Sequence, residues 1–217
     1  MDADFWLERW EQGQTAFDQQ VPHRWLDEHW SELGVADDAT VFVPLCGKTV
    51  DMVWLAEGGH RIVGVELSSI AIADFFAGLG VEPEVRTERS FTISSWGPYE
   101  LWCGDLFDLT SGDLASIGAV YDRASMVALP PDMRERFAEH LTAHVPASAP
   151  IFLVAFDYDQ TEMSGPPHSV PREEIEARFV PAFSLSPVAD ESVIEKAAPM
   201  RERGLTELRE TLVILRR

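Results

Sequence analysis

The sequence predicts an α/β fold: a doubly wound, mostly parallel seven-stranded sheet with helices on both faces. Three observations predict it. From Thr40 onward, short apolar runs rich in β-branched residues alternate with segments of helical periodicity. The first two runs are joined by a helix-length segment, as a parallel crossover requires. The chain is 217 residues long and 46% hydrophobic, with 7 Trp, 3 Tyr and 12 Phe, ample material for one core and one domain spanning residues 1–217.

The first 33 residues read as two helical pieces. Trp6 and Trp10, and later Trp25, Leu26, His29, Trp30 and Leu33, recur at three- and four-residue spacings. Gly13-Gln-Thr-Ala-Phe17 breaks the pattern between them. Thr40–Leu45 is the first strand and ends at Cys46-Gly47-Lys48. The helix after it carries Val50, Val53, Trp54 and Leu55 and stops at Gly58-Gly59. Arg61–Val65 is a second buried strand ending in Glu66. Ser68 and Ser69 can cap the next helix, which runs to about Leu79. Phe91–Ser95 and Tyr99–Cys103 flank Gly97-Pro98 as a hairpin, whose second arm enters the sheet as its third strand and leads into Gly104-Asp105. Gly118–Asp122 is a strand, Pro131 opens a helix to about His144, and Ile151–Phe156 is the most apolar strand. Phe183–Ser186 and Thr211–Leu215 are late strands expected at an antiparallel edge.

Charge excludes one class of function. Seventeen Lys and Arg stand against 37 Asp and Glu, a formal net charge of −20. Counterion release from a nucleic acid needs a basic face, and anionic membrane surfaces are repelled by such a field, so neither partner is expected. The two cysteines, Cys46 and Cys103, are too few for a disulfide framework. No basic-then-apolar leader opens the sequence, and the longest uncharged stretch, His140 to Phe156, is interrupted by Pro146 and Pro150. The expectation is a cytoplasmic monomer.

In a doubly wound sheet, ligands bind beyond the carboxyl ends of the strands, at the switch point. Those ends carry Leu45-Cys46-Gly47, Glu66, Gly104-Asp105 and Asp122-Arg123. Glu66, 19 residues after Gly47, stands where a carboxylate grips a ribose diol. Asp105 could accept from an exocyclic adenine amine. The first turn, Pro44–Lys48, has one glycine and lacks the glycine-rich run that a pyrophosphate requires. A nucleoside cofactor without phosphates, S-adenosylmethionine, is the leading candidate, with S-adenosylhomocysteine as its product. His140 and His144 have the spacing of a zinc pair but no evident third ligand, so no metal is expected. Cys46 beside the turn reads as a small buried thiol rather than a nucleophile.

Val43-Pro-Leu-Cys-Gly-Lys48 followed by Val63-Gly-Val-Glu-Leu-Ser68 resembles the thiopurine S-methyltransferase family of class I, Rossmann-like methyltransferases. Trp6-Leu-Glu-Arg-Trp10, Gly13–Phe17, Trp102–Phe107, Tyr121-Asp-Arg123, Ala128–Pro131 and Gly165-Pro-Pro-His-Ser-Val-Pro171 extend the resemblance in order along nearly the whole chain. The resemblance implies that residues 1–33 form a helical cap over the cofactor site. Within it, Trp6 and Trp10 would close over the cofactor, and Phe17 would border cofactor and acceptor. Leu45 and Gly47 would contact the methionine part, Glu66 the ribose, and Asp105 and Leu106 the adenine, with Leu67 also among the cofactor-binding residues. Arg123 would sit where cofactor and acceptor meet, and His168 in the acceptor loop. A basic residue before the last strand is also implied, with Arg201 and Arg203 as candidates. The implied activity is methyl transfer to the sulfur of a small aromatic or heterocyclic thiol, the alternative being a selenium or tellurium species or another small nucleophile.

Overall fold

The computed structural model describes every residue except Met1, Asp2, Ala16, Phe17, Ala124 and Pro181. The chain resolves into two compact units, Met1–Val120 and Tyr121–Arg217.

In the first unit, α1 (Ala3–Glu11) and α2 (Arg24–His29) are the two expected N-terminal helices, and a 3-10 turn, Trp30–Leu33, continues α2. Residues 23–33 are sewn into the unit. Trp25, Leu26, Trp30 and Leu33 are buried. Trp30 Nε1 donates to His60 Nε2 at 2.8 Å, which leaves the His60 proton on Nδ1, 3.2 Å from the Ala39 carbonyl. His23 N donates to Asp51 Oδ1 at 2.8 Å, and Trp54 Nε1 donates to Asp27 Oδ1 at 2.7 Å.

The remaining elements of this unit are β1 (Thr40–Pro44), α3 (Asp51–Glu57), β2 (Arg61–Glu66), α4 (Ser69–Leu79), β3 (Glu84–Glu88), β4 (Phe91–Trp96), β5 (Tyr99–Cys103) and β6 (Ile117–Asp122), the last leading into the second unit. Their order across the sheet is β3-β4-β5-β2-β1-β6. β1 is parallel to β2 and β6, and β2 is parallel to β5. β3, β4 and β5 form an antiparallel meander. The chain therefore passes from β1 to β2 and jumps to the edge strand β3. It comes back inward through β4 to β5 beside β2, and then crosses to β6 on the far side of β1. That reversal makes the carboxyl end of β1 the switch point, as a doubly wound sheet demands.

Val41, Phe42 and Val43 on β1 and Ile62 and Val65 on β2 are buried, the pattern of strands covered on both faces. Gly64 has a packing reason: a Cβ there would meet Leu101 Cδ2 at 2.7 Å and Cys46 Sγ at 2.8 Å. Ser68 caps α4 by accepting from Ala71 N at 3.4 Å.

In the second unit, β7 (Ile151–Asp157), β9 (Arg209–Arg216) and β8 (Ser184–Ser192) pair antiparallel in the order β7-β9-β8. Helices α5 (Ser125–Ala128), α6 (Pro131–His144), α7 (Arg172–Phe179) and α8 (Ala198–Glu202) accompany them. Tyr158, Met163, Val193, Leu205 and Leu208 form a buried cluster joined by Phe156 and Met200.

The α/β class stands, with nine strands among the described residues rather than the seven expected. β4 is the first arm of the expected hairpin, here paired into the sheet, and β3 is the unexpected strand. β3 reads Glu-Val-Arg-Thr-Glu and is exposed along its whole length, so it carries no apolar signal.

Candidate active site

Three segments follow the carboxyl ends of parallel strands in the first unit. The turn after β1 is the tightest. Leu45 adopts a φ of 46° and Gly47 a φ of 51°, both in the left-handed region. Such a conformation is uncommon for leucine and costs on the order of 1–2 kcal/mol, a strain that collects at functional turns. Cys46 N donates to the Val65 carbonyl at 3.0 Å, which ties the turn to β2.

Glu66 is 7% exposed and is the centre of the constellation. Its Oε2 accepts from Gly47 N at 2.9 Å, and its Oε1 accepts from Ser68 N at 2.8 Å. Burial pushes its carboxyl above the ordinary glutamate range, while the hydrogen bonds from Ser68, Gly47 and Leu67 pull it back. Two backbone amides thus hold a buried carboxylate in one orientation beside a strained turn. A carboxylate has about four acceptor sites, so hydroxyls can still be accepted.

Trp10 is buried, and its Cζ2 lies 3.3 Å from where a Cβ on Gly47 would stand. The indole therefore lies directly on the turn, and glycine is needed at 47 both for φ and for space. Trp6 is half-buried, edge-on to Phe5 with ring centres 5.3 Å apart. Phe17 lies outside the described residues. Leu67 is half-buried after Glu66. Asp105 is exposed, and its Oδ1 accepts from Phe107 N at 2.9 Å, capping the 3-10 turn Leu106–Asp108. Leu106 is buried in that turn. The cap fixes the Asp105 side chain and leaves its other carboxylate oxygen without a partner among the described residues.

Both cysteines are near this site. Burial first, and then the charge of Glu66, raises the thiols of Cys46 and Cys103. The protein's own thiols are therefore kept protonated, in the form that is not nucleophilic.

The other sequence-derived residues fall in the second unit. Asp122 is fully buried, and its Oδ1 accepts from Ser125 N at 2.9 Å, so the residue before Arg123 is committed to starting α5. Arg123 is half-buried. The Gly165–Pro171 loop is held by its carbonyls. Tyr158 Oη donates to the Pro167 carbonyl at 2.6 Å, Arg134 Nη1 to that of Ser169 at 2.8 Å, and Arg203 Nη1 to that of Pro166 at 3.0 Å. Arg134 is 2% exposed and also pairs with Glu174 at 3.1 Å. His168 is half-buried within this loop, and burial followed by the nearby Arg134 lowers its pKa, so the ring is neutral at neutral pH. Of the two basic candidates before β9, Arg203 touches the loop, whereas Arg201 pairs with exposed Glu195 at 3.0 Å. The rings of His140 and His144 lie 4.5 Å apart, and no group of three metal-ligating side chains occurs among the described residues.

Reading the sequence alone missed Ser68 as a partner of Glu66, and Arg134 and Tyr158 as supports of the loop. The buried arginine inside an otherwise apolar helix face was the available signal for Arg134.

The architecture is shared with solved methyltransferases. A S-adenosylmethionine-dependent methyltransferase from Anabaena variabilis superimposes with a TM-score of 0.66 at 12% identity, covering 99% of this chain and 94% of that one. The Burkholderia thailandensis 1,6-didemethyltoxoflavin-N1-methyltransferase, crystallised with S-adenosylhomocysteine, gives 0.65 at 15% identity, covering 99% and 87%. The chain thus has the class I, Rossmann-like methyltransferase fold. The sequence model of the thiopurine S-methyltransferase family matches residues 1–217, and the chain belongs to that family. The thiopurine S-methyltransferase of Bordetella petrii is 43% identical over 98% of this chain and 97% of its own, and that of Pseudomonas fluorescens is 40% identical over 100% and 99%. It is a methyltransferase, and its cofactor is S-adenosylmethionine. The buried, doubly anchored Glu66 and the phosphate-unfriendly turn fit that cofactor. No helix among the described residues is long and apolar enough to cross a membrane.

Proposed function

We propose that this enzyme methylates the sulfur of a small aromatic or heterocyclic thiol, acting as a cytoplasmic monomer and as one catalytic domain. The acceptor class is supported by one observation: identity of 43% over nearly full length to a protein named for S-methylation of thiopurines.

When bound, S-adenosylmethionine supplies an electrophilic methyl group on a sulfonium centre, which an ionised thiol takes in a single displacement. The residues of the chain bind, orient and exclude water. Glu66 accepts from the ribose hydroxyls, with Leu67 beside it. Leu45 and Gly47 line the methionine part, Asp105 and Leu106 flank the adenine, and Trp6 and Trp10 cover the site. An aromatic thiol ionises readily, so no general base is required, and alignment and dryness carry most of the rate. Arg123, a permanent planar cation, favours the thiolate or holds a ring nitrogen without taking a proton. His168, neutral by burial, offers the acceptor a hydrogen bond rather than a charge.

A methyl-transfer assay across aromatic thiols, thiopurines, selenols, tellurite and catechols tests the reading. Highest kcat/KM on aromatic or heterocyclic thiols is expected. Turnover confined to selenium or tellurium species, or to catechols, overturns it.

A further inference from the structure

Lys48 follows Gly47 directly, and its side chain leaves the cofactor turn toward three groups at once. Its Nζ is 2.9 Å from Asp74 Oδ2 on α4, 4.0 Å from Asp18 Oδ2 beyond α1, and 5.7 Å from the centre of the Trp10 ring on α1. Asp18 is only 10% exposed at its side chain, whereas Asp74 is half-exposed. One ammonium therefore joins the N-terminal segment to α4, with the indole of the same segment beneath it. A lysine suits this place because its compact charge can serve two carboxylates and a ring face together.

We propose that Lys48 is a positioning residue that fastens the Trp10-bearing segment across the cofactor turn and so sets the rate at which cofactor leaves. The proposal rests on the reading of Leu45, Gly47 and Glu66 as the cofactor site. The indole lies against Gly47, so a ligand seated on this turn shares its surface with Trp10, and exit requires the indole to move. Without the Lys48 charge, the segment keeps its apolar contact with the turn. The turn loses its ion pair to α4, and the mostly buried Asp18 loses a nearby cation.

The test uses the full chain and S-adenosylhomocysteine as probe, followed by stopped-flow dissociation. Lys48→Met is expected to release it about fivefold faster, the scale of two partly exposed pairs and one cation–π contact. Hydrogen-exchange protection over residues 4–11 in the complex should fall with it. Lys48→Arg, which keeps the charge, should stay within about twofold of the parent. Asp18→Asn and Asp74→Asn should each give about a twofold acceleration, and they carry the test if Lys48→Met does not fold. Parent-like dissociation and protection in Lys48→Met, or in both Asn variants, overturns the proposal. Glu66→Ala run in parallel separates the two failures. If it binds S-adenosylhomocysteine like the parent, the cofactor site is misplaced. If it weakens binding while Lys48→Met is silent, the fastening alone is wrong.

Discussion

The carboxylate of Glu66 and the backbone N–H of Gly47, 19 residues apart in sequence, are joined by a 2.9 Å hydrogen bond across the carboxyl ends of β1 and β2. The bond makes the strained turn and the buried acid a single unit. Their properties are therefore expected to change together.

Replacing Glu66 with Ala should weaken S-adenosylmethionine binding by about 1–3 kcal/mol, the scale of losing hydrogen bonds to a charged acceptor. Titration calorimetry on the folded variant reads the change directly. An unaltered affinity removes Glu66 from the site.

The same carboxyl should make cofactor binding sensitive to mild acid. Burial raises its pKa, so the folded protein takes up the Glu66 proton at a higher pH than an unfolded chain does. The ionised form is the better acceptor for two hydroxyls. Affinity for S-adenosylhomocysteine should therefore be full at neutral pH and decline as pH falls, beginning above the ordinary glutamate range. In Glu66→Gln this decline should vanish, as affinity measured between pH 5 and pH 8 will reveal.

Gly47→Ala should act on stability and affinity together. A Cβ would stand 3.3 Å from Trp10 Cζ2, at a φ of 51°. The left-handed conformation alone costs about 1 kcal/mol for alanine, or roughly 2–4 °C of Tm at this chain length. The displaced indole should add a loss of S-adenosylhomocysteine affinity, whereas a loss of Tm with affinity intact would confine the effect to the backbone.

How much of this was legible before the structure follows from where each signal lies. β1 and β2 were readable because both faces of Val41–Val43 and of Ile62 and Val65 are covered, and continuous burial leaves a continuous apolar run. Glu66 was readable from its distance to the turn, a spacing set by one helix and one strand. α7 was not, since only Ile175 and Phe179 of its eight residues are buried and the remainder are mostly charged. Lys48 gave no signal because its partners, at positions 18 and 74, meet it only through tertiary packing. Asp105 read as a ligand to adenine, and the local chain claims one of its oxygens for a cap.

Arg123→Lys should bind cofactor as the parent does and transfer methyl more slowly, since lysine keeps the charge and loses the planar fork. Arg123→Met should be slower still, with a smaller defect on thiols that lack a ring nitrogen. Single-turnover rates on a thiopurine and on a plain aromatic thiol test both statements, and parent-like rates for both variants would place the acceptor elsewhere.

Arg203 and Arg201 should separate cleanly. Arg203 holds the Pro166 carbonyl, and Arg201 pairs with exposed Glu195. Arg203→Ala should raise the acceptor KM severalfold with little change in cofactor affinity, on the order of one lost charge-assisted hydrogen bond. Arg201→Ala should be neutral, as exposed pairs generally are. Equal effects of the two would detach the loop from acceptor handling.

The donors that hold the Glu66 side chain are main-chain amides, chiefly those of Gly47 and Ser68. A main-chain donor survives every side-chain replacement at its own position except proline. The grip on position 66 is therefore insulated from drift in the neighbouring sequence: residues 45, 67 and 68 can be exchanged to retune what the pocket accepts without erasing the donors that aim the carboxylate. Diversification of the residues around this turn can proceed about an acid whose orientation the main chain fixes.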